Sequence, residues 1–96
     1  MNYQGKELKT YPEIIDYALS LKGKEQADFV EAYAKTGPHA LSNVGYFSGY
    51  YDAAKARKIM YVFKTAHPIF GTRRPDPEEA FEAGKALGKQ AMSKRT

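Results

Sequence analysis

The chain has no cysteine among its 96 residues. That excludes disulfide staples, thiolate metal sites and a cysteine nucleophile. Long apolar runs are missing as well. None approaches the ~20 residues needed to cross a bilayer, and the polar start MNYQGKELKT lacks the apolar stretch of a signal peptide. A soluble cytoplasmic protein without membrane contact is the simplest expectation. Repeats, low-complexity tracts and linkers are also lacking. One domain over residues 1–96 is therefore expected, flexible over about 1–10 and 93–96.

Catalytic signatures are equally scarce. GYFSG places Ser48 three residues after Gly45, one too many for the G-x-S-x-G elbow, and its flanks read as helix rather than strand. His39 and His67 lack the spacing of H-E-x-x-H, and no calcium loop or phosphate-cradling glycine pattern is present. The sequence points to a non-enzyme with no metal and no cofactor.

What is present is ample core material: 43% hydrophobic and 14% aromatic residues, against 27% charged. That composition argues against disorder. A chain of this length is expected to be stable by ~5–10 kcal/mol. Net charge is +4, and its placement is uneven. Lys55, Arg57, Lys58, Lys64, Arg73 and Arg74 fall between Ala53 and Pro75, where there is no carboxylate. Such a run is either the footprint of an anionic partner or a solvated face balanced by acids from elsewhere.

Helix punctuation divides the chain into about five short helices. The first spans roughly Pro12–Lys22, with Ile14, Ile15, Ala18, Leu19 and Lys22 on one buried stripe and Gly23 as a left-handed stop. The second runs over Lys24–Lys35, with Gln26, Phe29, Val30 and Tyr33 inward. The third is Pro38–Tyr51. The fourth is Ala53–Lys64, capped by Asp52, with Ala56, Ile59, Met60 and Phe63 as core. The fifth opens on Asp76 as N-cap and Pro77 as first residue, and runs to about Met92. Between the last two lies the irregular TAHPIFGTRRPDP, whose Ile69 and Phe70 either plug the core or form a partner-facing tongue. The fold class is all-α: a compact helical bundle with an HPIFG-containing loop before the last helix.

Two features of the third helix stand out. At about 100° per residue, Ala40, Leu41, Val44, Phe47, Ser48 and Tyr51 gather inward. His39, Asn43, Tyr46 and Tyr50 gather on the opposite side. Tyrosine offers a flat apolar area and one hydroxyl at low rotamer cost, which favours interfaces. Arg57, Tyr61 and Lys64 form a similar group on the fourth helix. The candidate binding residues are therefore Asn43, Tyr46, Tyr50, Arg57, Tyr61, Arg73 and Arg74. The second feature is glycine spaced by four, Gly45 with Gly49 and Gly84 with Gly88. Each helical glycine costs about 1 kcal/mol relative to alanine. That cost is offset if helices three and five approach closely, within one chain or across a dimer. Gly84→Leu is then expected to cost several times Gly84→Ala.

NVGYFSGYYD followed by AHPIFGT, over about residues 28–72, resembles small proteins encoded by bacteriophages and prophages. The resemblance carries over no functional residue. It implies a setting, the bacterial cytoplasm during infection, and a mode of action by binding. The expected function is that of an accessory protein that binds and modulates a host protein or defence component through a basic-aromatic helical face, itself as a homo-oligomer. The alternative is a binder of anionic nucleotides or nucleic acid, with rings on bases and arginines on phosphates.

Overall fold

Thr10 opens the first helix. Its hydroxyl accepts from the Glu13 N–H at 3.3 Å, and Glu13 reaches back to the Lys9 N–H at 3.1 Å. This T-x-x-E arrangement is a variant of the capping box. It starts the helix at Tyr11, one residue before the expected Pro12. In the computed structural model, which describes residues 1–37, 39–68 and 76–95, five helices follow a small hairpin. They are α1 (Tyr11–Ser20), α2 (Gly23–Ala34), α3 (Ala40–Tyr50), α4 (Ala53–Ala66) and α5 (Pro77–Arg95). The hairpin pairs β1 (Asn2–Tyr3) with β2 (Lys6–Glu7) antiparallel. The architecture is an all-α compact bundle.

The hairpin lies within the first ten residues, the stretch expected to be flexible. Gln4 and Gly5 both take positive φ, 50° and 82°, as a two-residue hairpin turn of the primed type requires. Met1 and Leu8 then exchange backbone hydrogen bonds, each of 2.7 Å. Leu8 is buried in the core and Tyr3 packs edge-on to Phe29. At the other end α5 continues through Ser93 to Arg95, past the expected stop near Met92.

Helix boundaries otherwise follow local chemistry. Asp52 accepts from the Lys55 N–H at 3.1 Å and starts α4, and Asp76 accepts from the Glu78 N–H at 2.7 Å at the head of α5. Gly23 is left-handed at φ 60° but opens α2 rather than ending α1, which stops at Ser20. Gln26 points inward as expected, donating to the Ala18 carbonyl at 3.1 Å. Of the segment HPIFG, His67 closes α4 and its Nε2 lies 3.1 Å from the Ala27 carbonyl of α2; Ile69 to Gly71 lie outside the described residues.

The core collects Ile15, Phe29, Val30, Val44, Ile59, Met60, Phe63 and Phe81. Two residues expected inward are exposed instead. Lys22 is exposed because the chain turns extended at Leu21, which breaks the helical phase. Tyr51 is 54% exposed because it follows the last residue of α3, its ring lying over Phe47 at 5.3 Å.

The expected close approach is found within the chain, between α3 and α5. Ser42 faces Gly84 and Tyr46 faces Gly88, so the helices run parallel. The contacts are reciprocal. Gly45 lies against the Phe81 carbonyl and Gly49 against that of Lys85, while Gly84 lies against the Ser42 carbonyl and Gly88 against that of Tyr46. Small residues at this spacing let backbones meet, and Cα–H to carbonyl contacts accompany such meetings. With both backbones this close, α5 is held chiefly by α3.

Candidate binding groove

The candidate residues separate into distinct environments. Asn43 hydrogen-bonds the hydroxyl of buried Tyr33, joining α3 to α2. Burial pushes the Tyr33 phenol up to about 12, and the Asn43 bond opposes part of that rise. The structure thus gives Asn43 a role between helices. Tyr46 and Tyr50 are half-buried and stack on each other at 5.6 Å with rings 14° apart. Tyr11 meets Tyr46 edge-on at 6.1 Å, and Tyr50 meets Tyr51 at 4.7 Å. The tyrosines serve one another, in the offset and edge geometries their quadrupoles favour.

Three cations of the basic run, Lys55, Arg57 and Lys64, are matched in space by acids from elsewhere. Arg57 bonds Glu78 at 2.8 Å and Glu82 at 3.1 Å, and its guanidinium lies 4.4 Å over the Phe81 ring. Lys64 reaches Glu78 at 3.1 Å, and Lys55 reaches Asp16 at 3.1 Å. Arg73 and Arg74 lie outside the described residues. The Arg57 hydrogen bond, then that of Lys64, holds the Glu78 carboxyl below the usual carboxylate range.

A carboxyl lowered in the folded state stabilises above its unfolded value, and that contribution fades as pH falls through the folded value. Glu78→Gln is therefore expected to destabilise by about 1 kcal/mol at pH 7, the upper range for exposed pairs. The difference should shrink as pH falls and vanish once Glu78 itself is protonated. Paired thermal melts along a descending pH series check this; a penalty that does not change with pH would refute the ion-pair account.

Tyr61 stands apart from these satisfied groups. It is 71% exposed on the outer side of α4. It borders a groove of about 640 Å³ between α4 and the α1–α2 corner. Leu19, Leu21 and Val62 give the groove apolar walls, and Gln26 and Gly23 line it from α2. Lys22 and Lys58 supply positive charge, Arg57 lines the groove while held by Glu78 and Glu82, and no carboxylate lines it. Lys22 and Lys58 have no ion-pair partner among the described residues. Beyond Tyr61 and Arg57 a second hollow of about 340 Å³ continues over Met60, Lys64 and Thr65.

The expected single basic-aromatic face is thus divided. Arg57 and Tyr61 line the groove; Asn43, Tyr46 and Tyr50 do not. Sequence reasoning missed Leu19, Leu21, Lys22, Gly23, Gln26, Lys58 and Val62 as lining residues. Nothing along the chain marks Lys58: its helix holds no acid, a feature it shares with Arg57 and Lys64, which meet acids from α5. Leu19 and Lys22 read as core because they continue the α1 stripe.

Ser48 is buried within α3, with no strand before it. Among the described residues no group of three acidic, histidine or cysteine side chains is placed to hold a metal. No described helix is long and apolar enough to cross a membrane. The chain matches no protein-family model, no curated protein and no solved structure.

Proposed function

We propose that this is a non-catalytic binding protein that occupies the surface of a protein partner through the Tyr61 groove. The reading rests on one observation: a tyrosine 71% exposed at the edge of an apolar groove that carries two cations unpaired among the described residues, Lys22 and Lys58, and no acid. Exposed aromatic anchors beside apolar pockets are the usual centres of protein interfaces. The occupant that fits is a segment with apolar side chains for Leu19, Leu21 and Val62 and carboxylates for Lys22 and Lys58. In the setting that the phage resemblance implies, the partner is a host or defence protein of the bacterial cytoplasm. Self-association belongs to the same reading; exposed Leu87 and Met92 on α5 supply apolar area for it.

Selection of a random displayed peptide library on the immobilised protein tests this. Acidic peptides with interspersed Leu, Ile or Phe should be enriched. Tyr61→Ala should weaken the selected peptide about tenfold or more, a hot-spot effect, and Lys58→Glu should weaken it as well. Both side chains are exposed, so melting temperature should not move. Peptides that bind Tyr61→Ala as well as wild type would end the proposal.

The same cations favour a second reading, an anionic nucleotide or nucleic acid with its base on Tyr61 and its phosphate on Lys22 or Lys58. A raised 260/280 nm absorbance ratio, lost on a high-salt wash, would mark that ligand. Nucleic-acid binding would also fall steeply with salt.

A further inference from the structure

On the other side of Leu21 lies a hollow of opposite character. It encloses about 300 Å³ between the hairpin turn, α1 and the start of α2, lined by Tyr3, Gln4, Tyr17, Leu21, Glu25 and Asp28. Two of its walls are aromatic and held rigidly. Tyr3 and Tyr17 meet the fully buried Phe29 edge-on, at 4.9 and 5.0 Å. Neither ring can turn aside without disturbing Phe29. The remaining polar lining carries negative charge in Glu25 and Asp28.

Tyr17 also borders a neighbouring hollow, and there the protein already places an ammonium on it. The Lys6 Nζ lies 5.5 Å from the Tyr17 ring centroid and lines that neighbour, not this hollow. Within this hollow Glu25 has no ion-pair partner among the described residues. Asp28 pairs with Lys24 at 2.7 Å, but the Lys24 side chain is 87% exposed. An exposed pair of this kind is readily displaced.

We infer that this hollow binds an organic ammonium group. Ring faces attract cations through their quadrupole, most strongly where water is excluded. Glu25 adds a charge unpaired among the described residues at the same hollow, Asp28 adds one that a ligand would share with or take from Lys24, and nothing in the lining is cationic. An anion is repelled there, and an uncharged alkyl group gains only apolar contact with Leu21 and the rings. The ammonium is either a small-molecule quaternary one or that of a lysine on another protein.

Titration of the isotope-labelled protein by NMR tests this, with choline, its uncharged isostere 3,3-dimethylbutanol and Nα-acetyl-lysine methylamide as probes. Choline or the lysine probe should shift the amides of Tyr3, Tyr17, Leu21, Glu25 and Asp28, and the isostere should not. A response to choline alone identifies a small-molecule quaternary ammonium as the source. A response to the lysine probe alone identifies a protein lysine.

Glu25→Gln with Asp28→Asn should abolish the shifts without lowering melting temperature. Tyr17→Leu should weaken binding about two- to fivefold, as for an exposed cation–ring contact, while Tyr17→Phe retains it. No shift with either cation, or equal shifts with the isostere, would overturn the inference. Tyr61→Ala should leave this response unchanged, so the two sites stand or fall separately.

Discussion

Gly84→Ala should destabilise the protein by about 3 kcal/mol, the upper range for overpacking a close-packed site. In an ordinary helix interior the same change stabilises by about 1 kcal/mol. The sign reverses because the added methyl would overlap the Ser42 carbonyl oxygen, with the carbonyl carbon 2.6 Å away. Those atoms are backbone, so no rotamer change relieves the overlap and α5 must move off α3. The spacing of the glycines alone suggests that leucine would cost several times more than alanine. The geometry removes that margin, since the first carbon already meets the main chain. Gly45→Ala should behave alike, facing the Phe81 carbonyl. Gly37→Ala, which meets nothing within 4 Å, should fall within about 0.5 kcal/mol of wild type. Urea denaturation midpoints decide it; a Gly84→Ala protein as stable as wild type would show that the helices do not meet there.

Phe81→Ala should cost about 3–5 kcal/mol, the range for deleting a buried phenylalanine. Phe81 is fully buried, and the other buried α5 residues, Pro77, Gly84 and Gly88, have short side chains or none. One aromatic ring therefore supplies most of the apolar anchorage of a 19-residue helix. The loss should be uneven. Amide exchange should accelerate most over 77–95 and least in α2 and α4, whose own core residues stay packed. Phe81→Leu keeps much of the burial but removes the ring under Arg57, and should cost about 1 kcal/mol. A stability loss under 1 kcal/mol for Phe81→Ala would place α5's anchorage elsewhere.

Much of this fold is legible locally. Asp52 and Asp76 announce α4 and α5 because an N-cap acts on donors two or three residues away. The stripes of α1, α2 and α4 are readable because helical period and burial coincide. The hairpin escapes because two residues per strand are too short to show alternation, and its turn begins on Gln4 rather than asparagine or glycine. Lys22 and Tyr51 mislead because each continues a stripe just past the residue where the helix ends. The groove escapes because it joins the end of α1 to the outer side of α4, and no periodicity links the two.

By itself the sequence determined the five helices, the caps of α4 and α5 and the close glycine contact between α3 and α5, all of which depend on patterns within a turn or two. Only the tertiary structure decided that these helices meet in parallel and within one chain. It also decided which charges remain available. Arg57 looks like a free cation along the chain, yet Glu78 and Glu82, 21 and 25 residues away, meet it in space. Lys58, one residue along the same helix, points into a groove where no acid reaches it. Adjacent residues on a helix leave it about 100° apart, so which cation is neutralised depends on what packs beside each direction.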